Sequence, residues 1–176
     1  MRQTIMTLIL FILATLFFGC TFQNPEMPED FSLTYSWNNG SLPPEYRYEY
    51  VITIGPGPQG ELDYVPGYGD NNDVNRWVTS FDVTIDDLET LYQYFNAGKY
   101  FDAEWESGLE RVGGSTTSIL LTAFGKEHRI PSISQLEGAD LQKVENAQVH
   151  IRSVVPGSVW AEMEKRQEAF ESSQLD

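Results

Sequence analysis

WVTSFDVTIDDLETLYQYFNAG, residues 77–98, changes its hydrophobic period in mid-run. Trp77, Thr79, Phe81, Val83 and Ile85 alternate along its first part, the spacing that puts one face of a strand on a core. After Asp86 the spacing lengthens. Leu88, Leu91, Tyr92 and Phe95 fall at i, i+3, i+4 and i+7, one stripe of a helix. Asp86-Asp87-Leu88-Glu89 has the form of a capping box in which Asp86 accepts backbone N–H bonds, and Gly98 supplies a left-handed stop. One strand therefore runs directly into one helix.

Upstream, every segment reads as strand. Phe31, Leu33, Tyr35 and Trp37 alternate with Ser32, Thr34 and Ser36. Asn38-Asn39-Gly40 turns the chain, and Tyr46, Tyr48, Tyr50, Ile52 and Ile54 then share one face of a second strand. Glu61–Val65 reads as a short return strand after the Gly55–Gly60 turn. Downstream, Phe101, Ala103 and Trp105 alternate with Asp102, Glu104 and Glu106, which predicts another strand over Tyr100–Glu106. Val112-Gly113-Gly114 turns into a strand over Ser115–Phe124, and Gly125-Lys126 forms a tight hairpin into Glu127–Ile130. Leu141, Val144, Ala147 and Ile151 stripe a helix from Ala139 to Val154. Pro156-Gly157 breaks it, and Ser158 caps a last helix carrying Trp160, Met163, Gln167 and Phe170 on one side. The order predicts an α+β fold: a single domain over residues 31–176, with an antiparallel sheet of about six or seven strands and about three helices. A parallel sheet would need a crossover between successive strands, and only one helix separates them.

The chain has 176 residues, 41% of them apolar, a formal charge of −15 and one cysteine. A domain of this length buries roughly two thirds of its unfolded surface, enough to fold without disulfides. The arithmetic excludes a disulfide scaffold and argues against a multidomain protein, a polytopic membrane protein and a nucleic-acid binder. Arg2 is the only charged side chain before Cys20, so the chain after it holds ten basic and 26 acidic groups, a net −16. Met1-Arg2-Gln3 is a short basic start, and Ile5 to Phe18 is an uncharged run of 14 residues. That is too short for a comfortable membrane span and suits the h-region of a secretory signal.

The run ends at Phe17-Phe18-Gly19-Cys20. Here the leader resembles a bacterial prolipoprotein signal peptide, whose lipobox ends in a small residue followed by the modified cysteine. The resemblance covers residues 1–20 and implies cleavage between Gly19 and Cys20 and a lipid (thioether-linked diacylglycerol, with palmitate-type acyl chains) on Cys20. Phe17 and Phe18 depart from the leucine and small residue usual at those two places. An exported domain with no second thiol leaves Cys20 no disulfide to make. Residues 21–30, with Pro25, Pro28 and an acidic end, read as an extended tether reaching roughly 30 Å at ~3.1 Å per residue. The resemblance places the protein in the cell envelope, on the outer membrane if the host has one and otherwise on the outer face of the plasma membrane. The mature domain resembles only small lipoproteins of unknown function.

Catalytic candidates are few. There is no Gly-x-Ser-x-Gly elbow, and the two histidines, His128 and His150, read as a surface strand residue and a helix C-terminal residue. No cofactor motif is present, and zinc would want four clustered Cys or His ligands. The Asp70–Asn75 loop is rich in oxygen ligands but lacks EF-hand spacing, so no metal site is assigned. Asp102, Glu104 and Glu106, with Glu110 nearby, have the spacing of a carboxylate pair for hydrolysis, and equally of a solvated acidic face. Twenty aromatic residues follow Cys20. Tyr46, Tyr48 and Tyr50 on one strand face form a candidate ligand platform, against the ordinary role of such rings as cross-strand packing. Tyr64 and Tyr68, in a glycine-rich segment, are expected to be exposed and complete the candidate set. The resulting expectation is a lipid-anchored envelope protein with a non-enzymatic binding or accessory role, its partner an envelope protein or glycan. Two alternatives stand beside it: an inhibitor of a basic secreted enzyme such as a cell-wall hydrolase, steered by the −16 charge, and a carboxylate-dependent hydrolase.

Overall fold

The computed structural model describes residues 25–69, 75–106, 108, 109, 111 and 113–174. Cys20, the leader before it and most of the Asp70–Asn75 loop lie outside the described residues. In chain order the elements are β1 (Ser32–Asn38), β2 (Tyr48–Ile54), β3 (Gln59–Pro66), β4 (Trp77–Asp82), α1 (Ile85–Ala97), β5 (Thr116–Ala123), β6 (Lys126–Ile130), a 3-10 turn at Ile133–Gln135, α2 (Gly138–Val154) and α3 (Gly157–Gln174). The strands form one antiparallel sheet in the order β4-β3-β2-β1-β5-β6. The domain is α+β, with six strands and three helices among the described residues.

The register follows from which side chains must leave water. Leu33 and Tyr35 on β1 face Ile54 and Ile52 of β2 on one side and Leu121 and Ile119 of β5 on the other. All six are fully buried. The intervening Thr34, Ser36, Val51, Ser118 and Leu120 point to the opposite face and keep contact with solvent. All three helices cover the buried face: Tyr92 of α1 packs on Phe31, Gln148 of α2 meets Tyr35, and Gln167 of α3 meets Tyr64. Among the described residues the core cluster runs from Phe31 to Met163. At Gly60 the chain needs glycine for space, because a Cβ there would lie 2.3 Å from the buried ring of Phe81 on β4.

Several sequence expectations shift. The helix cap is Thr84, two residues earlier than Asp86; its hydroxyl oxygen accepts from the Asp87 amide at 3.1 Å. Gly98 is right-handed, with φ −75°, and Lys99 takes the left-handed position. Gly98 is required for room instead: a Cβ would lie 2.4 Å from the Tyr100 ring. No strand forms over Tyr100–Glu106. Tyr100 is pulled into the α1–α2 junction, where its hydroxyl donates to the Lys143 carbonyl at 2.7 Å. The strand β5 ends at Ala123, so the hairpin turn is Phe124-Gly125, both at positive φ (54° and 71°).

The residues expected to form a free tether are folded from Pro25 onward. The Pro25 carbonyl accepts from Gln93 of α1 at 2.8 Å, Met27 packs on the core, and the Phe31 amide closes a turn onto the Pro28 carbonyl. Asp30 then takes the two amides of the hairpin turn, Phe124 at 2.9 Å and Gly125 at 2.5 Å. Charge-assisted bonds of this kind hold an aromatic residue in a conformation it ordinarily avoids. Asp30→Ala should lower unfolding free energy by about 1–2 kcal/mol in urea denaturation, with Asp30→Asn losing less because one acceptor oxygen remains.

Candidate functional site

The five candidate tyrosines separate into two groups. Tyr50 and Tyr64 are buried beneath the helices, and Tyr48 is half-buried against Trp37 and Tyr64. Tyr46 lies in the turn before β2, off the strand, and is 43% exposed; Tyr68 follows β3 and is 54% exposed. Tyr64, expected in an exposed loop, sits in β3 with no exposed surface, because β3 continues to Pro66 and α3 covers it. The platform of Tyr46, Tyr48 and Tyr50 therefore does not exist as one surface.

The buried rings form a hydrogen-bonded layer. Tyr50 stacks on Trp37 (5.2 Å, 20°) and meets Trp160 edge-on, and its hydroxyl accepts from Arg152 at 2.9 Å. The Tyr64 hydroxyl donates to Gln167 Oε1, and that amide's Nε2 donates on to Glu171 and the Glu45 carbonyl. Tyr35 donates to Gln148 Oε1 at 3.3 Å, leaving Gln148 Nε2 buried without a partner among the described residues. Desolvation by burial pushes the Tyr50 phenol up to about 12, with Arg152 working against the shift. Burial raises Tyr35, Tyr64 and Tyr100 further.

The exposed pair stands at one end of the sheet, where three loops converge: Asn39–Arg47, the segment after β3 and the segment before β5. They border a cleft of about 380 Å³ lined by Asn38, Gly40, Ser41, Arg47, Tyr68, Arg111, Gly113, Gly114 and Thr116. Its volume falls in the range of small-ligand sites. The walls are tied before any ligand arrives. Arg47 donates to the Gly67 carbonyl (2.8 Å) and to Glu49 (2.6 Å) and lies 4.8 Å over the Tyr68 ring; the Tyr68 hydroxyl donates to the Leu42 carbonyl. Asn38 bridges to Thr116 at 2.5 Å. Gly40, at φ 89°, passes so close to Gly114 that a Cβ would lie 2.3 Å from its carbonyl oxygen.

Arg111 completes the rim. Its amide donates to the Ser134 carbonyl and its guanidinium to the Leu136 carbonyl. It forms no ion pair among the described residues, and its side chain is exposed. In a chain with 11 basic against 26 acidic groups, the described lining of this cleft holds two arginines, Arg47 paired with Glu49, and no acidic residue. Sequence reading passed over Arg111; its only signal is a cation two residues before the glycine pair of a turn.

The carboxylate candidates lie elsewhere. Glu104 and Glu106 line an open cleft of about 750 Å³ with Glu137 and Asp140, and Asp102 is not part of it. These groups gather at the N-terminus of α2, where negative charge complements the helix dipole, and the Asp140 carboxylate accepts from the Glu106 amide at 3.4 Å. Glu110 lies outside the described residues. Among the described residues no group of three His, Cys, Asp or Glu is arranged to hold a metal ion. His128 faces the core and packs edge-on to Phe101, and His150 lies on the Tyr94 ring, 3.9 Å between centroids. No helix among the described residues is long and apolar enough to cross a membrane.

No protein-family model matches the chain, and no curated protein matches it.

The buried phenols predict an alkaline limit to stability. An unfolded tyrosine ionises near pH 10, so each raised phenol contributes its full stabilisation below that value and loses it as pH climbs through the folded value. Between pH 10 and about 12, the value for Tyr50, urea midpoints should fall steadily. Phenolate absorbance should rise in two phases, the second coinciding with unfolding; Tyr50→Phe should shrink the second phase.

Proposed function

We propose that the protein is a lipid-anchored envelope protein that binds an acidic glycan in the cleft between Arg47, Tyr68 and Arg111. The observation that carries this reading is the composition of that cleft in an otherwise acidic domain. Arg111 offers guanidinium donors to a uronic carboxylate, and the exposed ring of Tyr68 offers a flat apolar face for a sugar ring. Gly113 and Gly114, at φ 86° and 82° with nothing within 4 Å of a would-be Cβ, leave the backbone open to approach. Ties made before binding reduce the entropy a ligand has to overcome. The envelope address is supported by the leader pattern that ends at Cys20.

Two experiments separate the halves of this proposal. Titration with uronic-acid-bearing oligosaccharides should shift amide resonances of residues 38–41, 68 and 111–116. Arg111→Gln should weaken binding about tenfold or more, since a charge-assisted bond is worth ~1.5–3 kcal/mol, and should also lower the urea midpoint through the lost bond to the Leu136 carbonyl. Shifts confined to the 104–140 cleft, or none at all, would sink the ligand assignment. For the anchor, fatty-acid labelling in a bacterial host should be lost in Cys20→Ser together with membrane association.

A further inference from the structure

We infer that the Phe124 hairpin tip is a membrane-facing contact: its ring rests in the interfacial layer of the bilayer that holds the Cys20 lipid, and the ligand cleft faces away. The inference rests on the anchor reading above and adds an orientation to it. Phe124 is 67% exposed at the tip of the β5–β6 turn, at φ 54°, a conformation in which an aromatic residue is a genuine outlier. Glycine or asparagine would make the same turn without strain, and two thirds of the residue stands in solvent. Its position is clamped by Asp30, whose carboxylate holds both turn amides.

That clamp joins the tip to the point where the chain leaves the domain toward Cys20. Pro25 is already held on α1, so five residue steps separate its Cα from that of Cys20, a span of at most ~18 Å. The lipid therefore lies within ~18 Å of Pro25, itself five residues from the Asp30 clamp on the hairpin. Ile85, 51% exposed at the start of α1, lies at the same end of the sheet, since β4 and β5 both finish there. The cleft lies at the opposite end, where β1 finishes and β5 begins, about 25 Å away along the strands. A bilayer is the occupant that the short chain to a lipidated cysteine selects, because the anchor supplies it at high effective concentration and one aromatic ring then suffices.

The test uses the chain from Cys20, which retains the whole core, with one myristoyl group coupled to the Cys20 thiol by a maleimide. A single such chain binds membranes only marginally, so an added contact is measurable. Because the acyl group is installed chemically, the result does not depend on lipidation in the cell, which the labelling experiment decides separately. On phosphatidylcholine vesicles, Phe124→Gly should weaken partitioning about tenfold, while its urea midpoint stays level or rises as the strained φ is relieved. Val149→Ser, at an equally exposed apolar residue on α2, should leave partitioning unchanged. Equal partitioning of Phe124→Gly and the parent overturns the inference, and so does an equal loss in Val149→Ser.

Discussion

Buried tyrosine hydroxyls constrain this structure more than any other group. A phenol shut away from water without a partner costs ~1–3 kcal/mol, so each one on the covered face of the sheet requires a polar side chain from the layer above. Gln148 and Arg152 of α2 and Gln167 of α3 meet that requirement at Tyr35, Tyr50 and Tyr64. Apolar packing alone would let the last two helices slide or rotate by a turn at modest cost. The hydrogen bonds select one register, and Trp160 and Trp37 fill the space between them and the Tyr50 ring. The same burial that raises the phenol pKa values makes the helix layer specific.

With the helices placed on one face, the two ends of the sheet become chemically different. At one end three loops bring arginines, glycines and an exposed tyrosine together, held by Arg47 and by the close pass of Gly40 over Gly114. At the other end the chain enters from Pro25, Asp30 grips the β5–β6 turn, and Phe124 and Ile85 present apolar surface. The β1–β4 meander and the α1-containing crossover from β4 to β5, which starts at one end of the sheet and finishes at the other, produce this polarity.

The strands and helices were largely legible in their periodicity, and the departures have identifiable causes. Tyr100–Glu106 alternates like a strand but has no neighbour to pair with, and Tyr100 gains more by bonding across to Lys143. Thr84 takes the cap from Asp86 because its position immediately before the first helical turn aims its oxygen at the Asp87 amide. The candidate site was less legible. Tyr46 and Tyr68 are exposed, while Tyr50 and Tyr64 are core. Arg111 went unmarked, since a single exposed arginine has no periodicity and acquires meaning only from the loops beside it.

Read alone, the sequence determined the α+β class, the inward faces of β1, β2 and β4, and the two final helices. These follow from local spacing and residue chemistry, which act over a few positions. Tertiary structure alone decided which tyrosines are core, how Pro25–Asp30 folds back on the domain, and why Phe124 stands in a turn. Asp30 and Phe124 are 94 residues apart, as are no two groups that a local pattern can connect. Their bond exists because β1 and β5 pair side by side, a choice made by burying Leu33, Tyr35, Ile119 and Leu121 together.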